Sequence, residues 1–337
     1  MRERPMGTNT TTTRLTRRRF LAASAAAVAA PAVVPATALG KGDRPAPGDR
    51  IVMGCIGVGG MGTGDMRNFL GADEVQVVAV CDVDREKRDA AKKRVEDHYA
   101  KKSDKGDFKG CETYGDFRRL LERDDLDAVM IATPDHWHAI LAISAAKSGK
   151  DIYCEKPLSL TIREARAMVN AVRRYGRVFQ TGSQQRSVYG GKFHRACELV
   201  RNGRIGKITE VHVGCGGPSN DCYLPAQPVP EGLDWDMWLG PAPWRPYNEE
   251  LHPFYWRPYR PFSGGSMTDI GAHMFDIAQW GLGMDHTGPV EIIPPDGKDV
   301  KRLTYKYANG VLMYHGGSSG PRRRRRSAGH RPDTGTR

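Results

Sequence analysis

Ile51-Val52-Met53-Gly54-Cys55-Ile56-Gly57-Val58-Gly59-Gly60-Met61-Gly62 runs from an apolar stretch straight into a glycine turn. A second apolar run, Val75–Cys81, ends at Asp82, twenty residues past the last glycine. A strand, a glycine turn, a helix, a second strand and a terminal acid, in that order, read as a dinucleotide-binding unit. Gly57 permits the tight turn, Gly59 lets a pyrophosphate approach the backbone, and Gly62 lets helix and strand pack closely. The N–H groups at the helix start, Gly60 and Met61 among them, are placed to bind phosphate. Asp82 can accept hydrogen bonds from both adenosine ribose hydroxyls, and its charge repels a 2′-phosphate. NAD is therefore expected over NADP. An ordinary glycine-rich turn is the competing reading.

Downstream the pattern repeats. Asp127–Ala132 is an apolar strand that ends in Thr133-Pro134-Asp135-His136-Trp137-His138, with an Ala-rich helix to Lys147. Asp151–Cys154 is another strand, followed at once by Glu155-Lys156-Pro157. Thr161-Ile162-Arg163-Glu164 has the form of a capping box at the head of an amphipathic helix. Strands alternating with helices at this spacing specify βαβ units and a doubly wound parallel sheet. After Gly182 the pattern changes. A helix is expected over Lys192–Asn202, a strand over Lys207–Gly214, and a helix over Ser266–Gly281. Leu303–Tyr307 and Val311–Tyr314 flank Ala308-Asn309-Gly310, a hairpin signal. The second half thus reads as α+β with an antiparallel sheet. Between them, Asp221–Phe262 is rich in proline and tryptophan.

The formal charge of +12 does not mark a nucleic-acid binder. Residues 1–50 carry nine Lys/Arg against three Asp/Glu, and residues 322–337 carry seven against one. The remaining body, 51–321, holds 35 of each sign, so no polyanion footprint is expected on it. Residues 1–38 read as a twin-arginine signal peptide: Thr16-Arg17-Arg18-Arg19-Phe20-Leu21, a weakly apolar segment, then Ala36-Thr37-Ala38 as a cleavage site. The apolar stretch before Pro31 is too short to span ~30 Å of hydrocarbon, so no membrane anchor is expected after cleavage. Export in the folded state would deliver the protein to the periplasm with its nucleotide already loaded. The cysteines show no C-x-x-C spacing, and His136-Trp137-His138 lacks further ligands nearby, so no metal is expected.

Two features suggest chemistry. Lys156 follows a parallel strand at its carboxyl end, where open α/β sheets bind ligands; a solvated surface lysine is the alternative. Asp269 and His273 stand at i and i+4, an acid positioned to orient a general base or simply part of an exposed polar stripe that Asp276 and Trp280 extend.

Gly57–Gly62, Asp82, Thr133–His138, Glu155-Lys156-Pro157 and Asp269-Ile270-Gly271-Ala272-His273 together resemble the glucose–fructose oxidoreductase/inositol dehydrogenase (Gfo/Idh/MocA) family, over residues 51 to about 317. The resemblance implies a Rossmann domain at 51–184, after a linker at 39–50, and a substrate domain with an open antiparallel sheet at 185–317. It implies a catalytic set of Lys156, Asp269 and His273, with His273 as proton acceptor. Thr133, Pro134 and Glu155 would line the nicotinamide side, with His138 near it. The expected reaction is hydride transfer from a CH–OH group of a sugar or polyol to NAD, with the tryptophan-rich segment either stacking on the sugar or packed inside. A glycosidase using transient oxidation at tightly held NAD, and a non-catalytic sugar-binding remnant, are the alternatives. The family would continue with further strands where this chain turns into the basic stretch 318–337, which reads as disordered and as the result of truncation or a shifted frame. Homo-oligomers of the family's kind would suffer from that loss.

Overall fold

A computed structural model describes residues 47–102 and 108–316. The expected export signal and cleavage site, and the basic stretch 318–337, lie outside the described residues.

Six strands form one parallel sheet: β1 (Ile51–Ile56), β2 (Val75–Cys81), β3 (Glu112–Tyr114), β4 (Ala128–Ile131), β5 (Asp151–Glu155) and β6 (Phe179–Gly182). Their order is β3-β2-β1-β4-β5-β6, which reverses direction between β1 and β4. In such sheets that reversal leaves a crevice at the carboxyl ends of the two strands, and there ligands bind. Helices α1 (Gly60–Gly71) and α2 (Arg85–Ala100) cover one face through Met66, Leu70, Ala91 and Val95. Helices α3 (Phe117–Leu121), α4 (Asp135–Lys147) and α5 (Ile162–Tyr175) cover the other through Leu120, Leu141, Ala145 and Met168. Both faces are covered, so the central strands β1, β2 and β4 are near-continuous apolar runs rather than alternating.

Local chemistry sets the boundaries. Asp84 caps α2 by accepting from the N–H groups of Glu86 at 3.0 Å and Lys87 at 3.4 Å. The Thr161/Glu164 box is formed in both directions, at 3.2 and 2.8 Å, and Gly176 closes the same helix with φ 61°. Gly57 has φ +80°, and a Cβ there would stand 2.8 Å from the backbone of Ala132. A Cβ on Gly62 would overlap the carbonyl oxygen of Gly57. Both glycines are fixed by backbone contact, one by its dihedral and one by close approach.

The second half packs α9 (Gly271–Gly281) against a four-stranded sheet of β7 (Glu210–Val213), β8 (Glu291–Ile293), β9 (Thr304–Lys306) and β10 (Leu312–His315), and α6 (Lys192–Arg201) against α9. The order is β7-β10-β9-β8. The Asn309-Gly310 hairpin joins β9 and β10 antiparallel, with Gly310 at φ 87°. β7, however, runs parallel to β10, so this sheet is mixed. Antiparallel neighbours can be linked by a tight turn, whereas β7 reaches β10 only through a long connection, and strand pattern alone does not carry that direction. The expected Ser266–Gly281 helix is interrupted at Ile270, giving a short α8 (Ser266–Asp269) before α9. Helix α7 (Trp235–Leu239) belongs to a separate aromatic core of Trp235, Trp238, Tyr247, Trp256 and Phe262. Three of the four tryptophans of the segment are thus interior residues, while Trp244 is 75% exposed.

The two glycine environments make opposite predictions. Gly62→Ala should cost about 3 kcal/mol through overpacking against fixed backbone. Gly64, on the same helix with nothing within 4 Å of its notional Cβ, should gain about 0.5–1 kcal/mol on substitution by alanine. Urea denaturation of the two variants checks both signs.

Candidate active site

A cleft of about 1250 Å³, open mouth included, lies at the β1/β4 switch point. Gly57, Gly59, Gly60 and Met61 line it, with Asp82, Thr133, Pro134, Glu155 and Lys156. Gly62 and His138 do not. Gly62 is buried at the contact with Gly57. His138 is 1% exposed, with Nδ1 2.8 Å from the Pro157 carbonyl and Nε2 2.8 Å from that of Thr133. The ring therefore lies between two segments of the cleft wall; burial lowers its pKa, against the two carbonyls, each of which calls for a ring N–H.

The first turn of α1 has no side-chain cap at Gly59, so its amide donors are left for a ligand. A Cβ on Gly59 would meet nothing closer than Lys87 Cδ at 3.9 Å; the backbone here is bare toward the cleft. Asp82 uses one oxygen for the Val58 N–H at 2.8 Å and the other for the Asp84 N–H at 3.0 Å. Each oxygen keeps a lone pair for a further donor. Burial raises the Asp82 pKa, opposed by those two amides and by Lys87. Thr133 Oγ1 is buried without a partner in the cleft wall. A bare phosphate cradle, an acid with spare acceptor capacity and an orphaned hydroxyl fit a dinucleotide.

Lys156 extends from the end of β5 to Asp269 at the end of α8, with Nζ 2.6 Å from Oδ1 and 3.2 Å from the main-chain oxygen. The other oxygen of Asp269 faces Arg257 Nε at 3.3 Å. Both side chains of the Lys156–Asp269 pair are under one-fifth exposed. The carboxylate therefore serves two cations rather than the imidazole of His273. Burial and then the Lys156 charge lower the His273 pKa against the pull of Asp269 and Asp276, which favours the neutral ring. Asp269 and His273 are not among the residues that line the cleft; Asp269 bonds to Lys156, which does line it, and His273 lies close enough to Lys156 to feel its charge.

Several residues here carried no signal in the sequence. Arg257 lines the cleft and lies over the Trp256 ring at 4.4 Å. His252 lines it too, with Nε2 2.8 Å from Lys87 Nζ, while Phe254 stands over Gly60. Asp135 is 3% exposed, accepts from Ser263 Oγ at 2.7 Å, and is pushed by burial up to about 7. Asp135 falls inside the quoted Thr133–His138 stretch, but nothing in that stretch marks it as buried. Arg186 clamps Asp276 through two bonds of 2.8 and 2.7 Å, reaches Asp285 at 2.8 Å, and lies 5.0 Å over Trp280. It ties the segment after β6 to the helix that carries His273. Among the described residues no group of His, Cys, Asp or Glu is arranged to hold a metal.

Residues 51–183 match the family model described as the oxidoreductase family, NAD-binding Rossmann fold, and residues 218–322 match that family's C-terminal alpha/beta domain. A myo-inositol 2-dehydrogenase of Thermotoga maritima is 27% identical over 246 residues, covering 73% of this chain and 58% of that protein. A glycosyl hydrolase family 109 protein of Shewanella pealeana is 32% identical over 160 residues, covering 48% of this chain and 34% of that protein. The chain thus spans only part of the length of these curated relatives. The WlbA dehydrogenase from Bordetella pertussis, solved with NADH and UDP-GlcNAcA, superposes with a TM-score of 0.56 at 18% identity, over 79% of this chain and 71% of that one. At that identity the likeness concerns the fold. NAD is the cofactor that the first domain is built to bind.

Arg186→Ala should lower stability by about 1 kcal/mol, the clamp being partly exposed, and Arg186→Lys should recover only part, since an ammonium cannot reproduce the two-pronged contact. Thermal unfolding of the two variants measures this.

Proposed function

The chain belongs to the Gfo/Idh/MocA oxidoreductase family, and from that premise we propose that it is an exported NAD-dependent oxidoreductase acting on a CH–OH group of a sugar, polyol or sugar derivative. The observation that carries this reading is the Lys156–Asp269 ion pair, which brings residues 113 apart in sequence together beside the cleft. NAD, when bound, supplies the hydride acceptor. Gly59, Gly60 and Met61 would hold its phosphates, Asp82 its adenosine ribose, and Thr133, Pro134 and Glu155 its far end. Lys156, oriented by Asp269, donates to the substrate oxygen and spreads the negative charge that builds there. His273, kept neutral, accepts the hydroxyl proton. Export to the periplasm rests on Arg17-Arg18-Arg19 and the Ala36-Thr37-Ala38 site.

A second reading, a glycosidase in which transient oxidation activates elimination, is favoured by the 32% identity to the family 109 glycosyl hydrolase protein. Aglycone release from a chromogenic glycoside without added cofactor or net NADH would select it. NADH absorbance appearing with a free sugar or polyol would select the dehydrogenase.

Lys156→Ala and His273→Ala should each reduce turnover by roughly 10²-fold or more while NAD remains bound. Unchanged turnover would remove that residue from the mechanism. Because the folded environment lowers the His273 pKa, the acid limb of the activity profile should fall below the ordinary histidine value of about 6.5. A pH series on the wild type reads that limb, and His273→Ala should lose it.

A further inference from the structure

Helix α1 carries a carboxyl group that has no place in the scheme above. Asp65 is 2% exposed and lies behind the glycine loop, outside the cleft lining. Its Oδ2 has no ordinary donor. Its neighbour is the carboxyl group of Glu155, 3% exposed, within side-chain hydrogen-bonding reach. Two carboxylates cannot bond to each other; one must carry a proton. Glu155 has three other donors. Its Oε1 accepts from Tyr153 OH at 3.1 Å and from the side-chain amide of Gln184, and its Oε2 accepts from the Lys156 N–H at 3.3 Å. Gly182 leaves the room this carboxylate occupies, since a Cβ there would overlap Oε1.

We propose that Asp65 is a positioning residue that works in its acid form, its proton bridging to Glu155 so that α1, the Lys156 end of β5 and Gln184 are held in one arrangement. Losing the proton sets two negative charges against each other in a site with little water, and the three segments part. Burial first, and then the Glu155 charge, push the Asp65 pKa up to about 7. The other groups facing the pair are Tyr153 and Lys156 on the β5 side and Cys55 on β1, whose thiol is raised in part by Asp65. Only Lys156 is cationic, and it is already committed to Asp269. The folded state therefore keeps a proton that the unfolded chain releases near pH 4. Stability is then full below that value and falls as pH rises toward about 7.

The test compares the full-length wild type with Asp65→Asn and Asp65→Ala. Asparagine can donate to Glu155 at every pH, whereas alanine never can. NADH is titrated by fluorescence, and urea unfolding is followed across the same pH range. Wild-type affinity for NADH should fall about tenfold between about pH 6 and about pH 9, while Asp65→Asn changes by no more than about twofold. Asp65→Ala should bind weakly throughout. Wild-type stability should fall with rising pH to about 7, and Asp65→Asn should show a shallower fall, losing the share of Asp65 and keeping the share that Asp135, raised in the same way, contributes. An Asp65→Asn variant that follows the wild-type profile in either measurement overturns the proposal, as does an Asp65→Ala variant that behaves like Asp65→Asn. If Asp65→Ala does not fold, the wild type and Asp65→Asn alone decide. The binding arm rests on the NAD reading of the cleft and the unfolding arm does not: NADH binding in no variant would sink that reading, leaving the unfolding slopes to judge Asp65.

Discussion

Asp269 holds a single negative charge between Lys156 and Arg257, in a position shielded from most of the solvent. A charge so placed is favourable only while its partners stay close, because separation leaves an ion without water or counterion. The three residues come from three parts of the chain: the end of a parallel strand, a proline-rich loop and a short helix. Holding them together therefore fixes how the second half meets the carboxyl edge of the six-stranded sheet. Arg186 and Asp276 add a second fastening, one helical turn beyond His273. Lys156 and Arg257 line the cleft together with the glycine turn, while the Arg186 fastening lies outside its lining.

What the sequence revealed, and what it hid, divides along the range of the forces involved. The Gly57–Gly62 turn, the Thr161 capping box and the Asn309-Gly310 hairpin are decided by backbone conformation within a few residues, so spacing exposes them. Asp269 and His273 share the right spacing for an acid–imidazole pair, yet the carboxylate turns to Lys156 and Arg257, because a charge-assisted bond outweighs one to a neutral ring. Which partner arrives is a tertiary fact. Arg257, His252 and Phe254 were invisible because Asp221–Phe262 has no period to read. The same absence left open whether its tryptophans faced a sugar or a core, and three of the four are in a core. Asp65 was hidden in another way. It lies beside the fold-deciding glycines, but only the packing of α1 against β5 shows that its face is dry.

Burial has rearranged which groups can respond to pH. Histidine is the usual sensor near neutrality. Here His136 and His252 are pushed by burial down to about 4, and His138 and His273 are lowered as well. Asp65 and Asp135 move the opposite way, both to about 7. Desolvation disfavours whichever form is charged, so it moves imidazoles down and carboxyls up. Burial thus brings Asp65 and Asp135 toward neutrality while it favours the neutral, proton-accepting form of the imidazoles.

The parallel pairing of β7 with β10 bears on the order of assembly during synthesis. The larger sheet has all its strands once residue 182 has left the ribosome, and every pair in it but β1–β4 joins strands consecutive in the chain. β7, by contrast, is made about a hundred residues ahead of the strand it lies against, a separation that carries a high loop-closure cost. Until then its edge is bare. The nucleotide-binding half can thus mature vectorially, as a finished platform, while the other half waits for nearly the whole described chain to emerge.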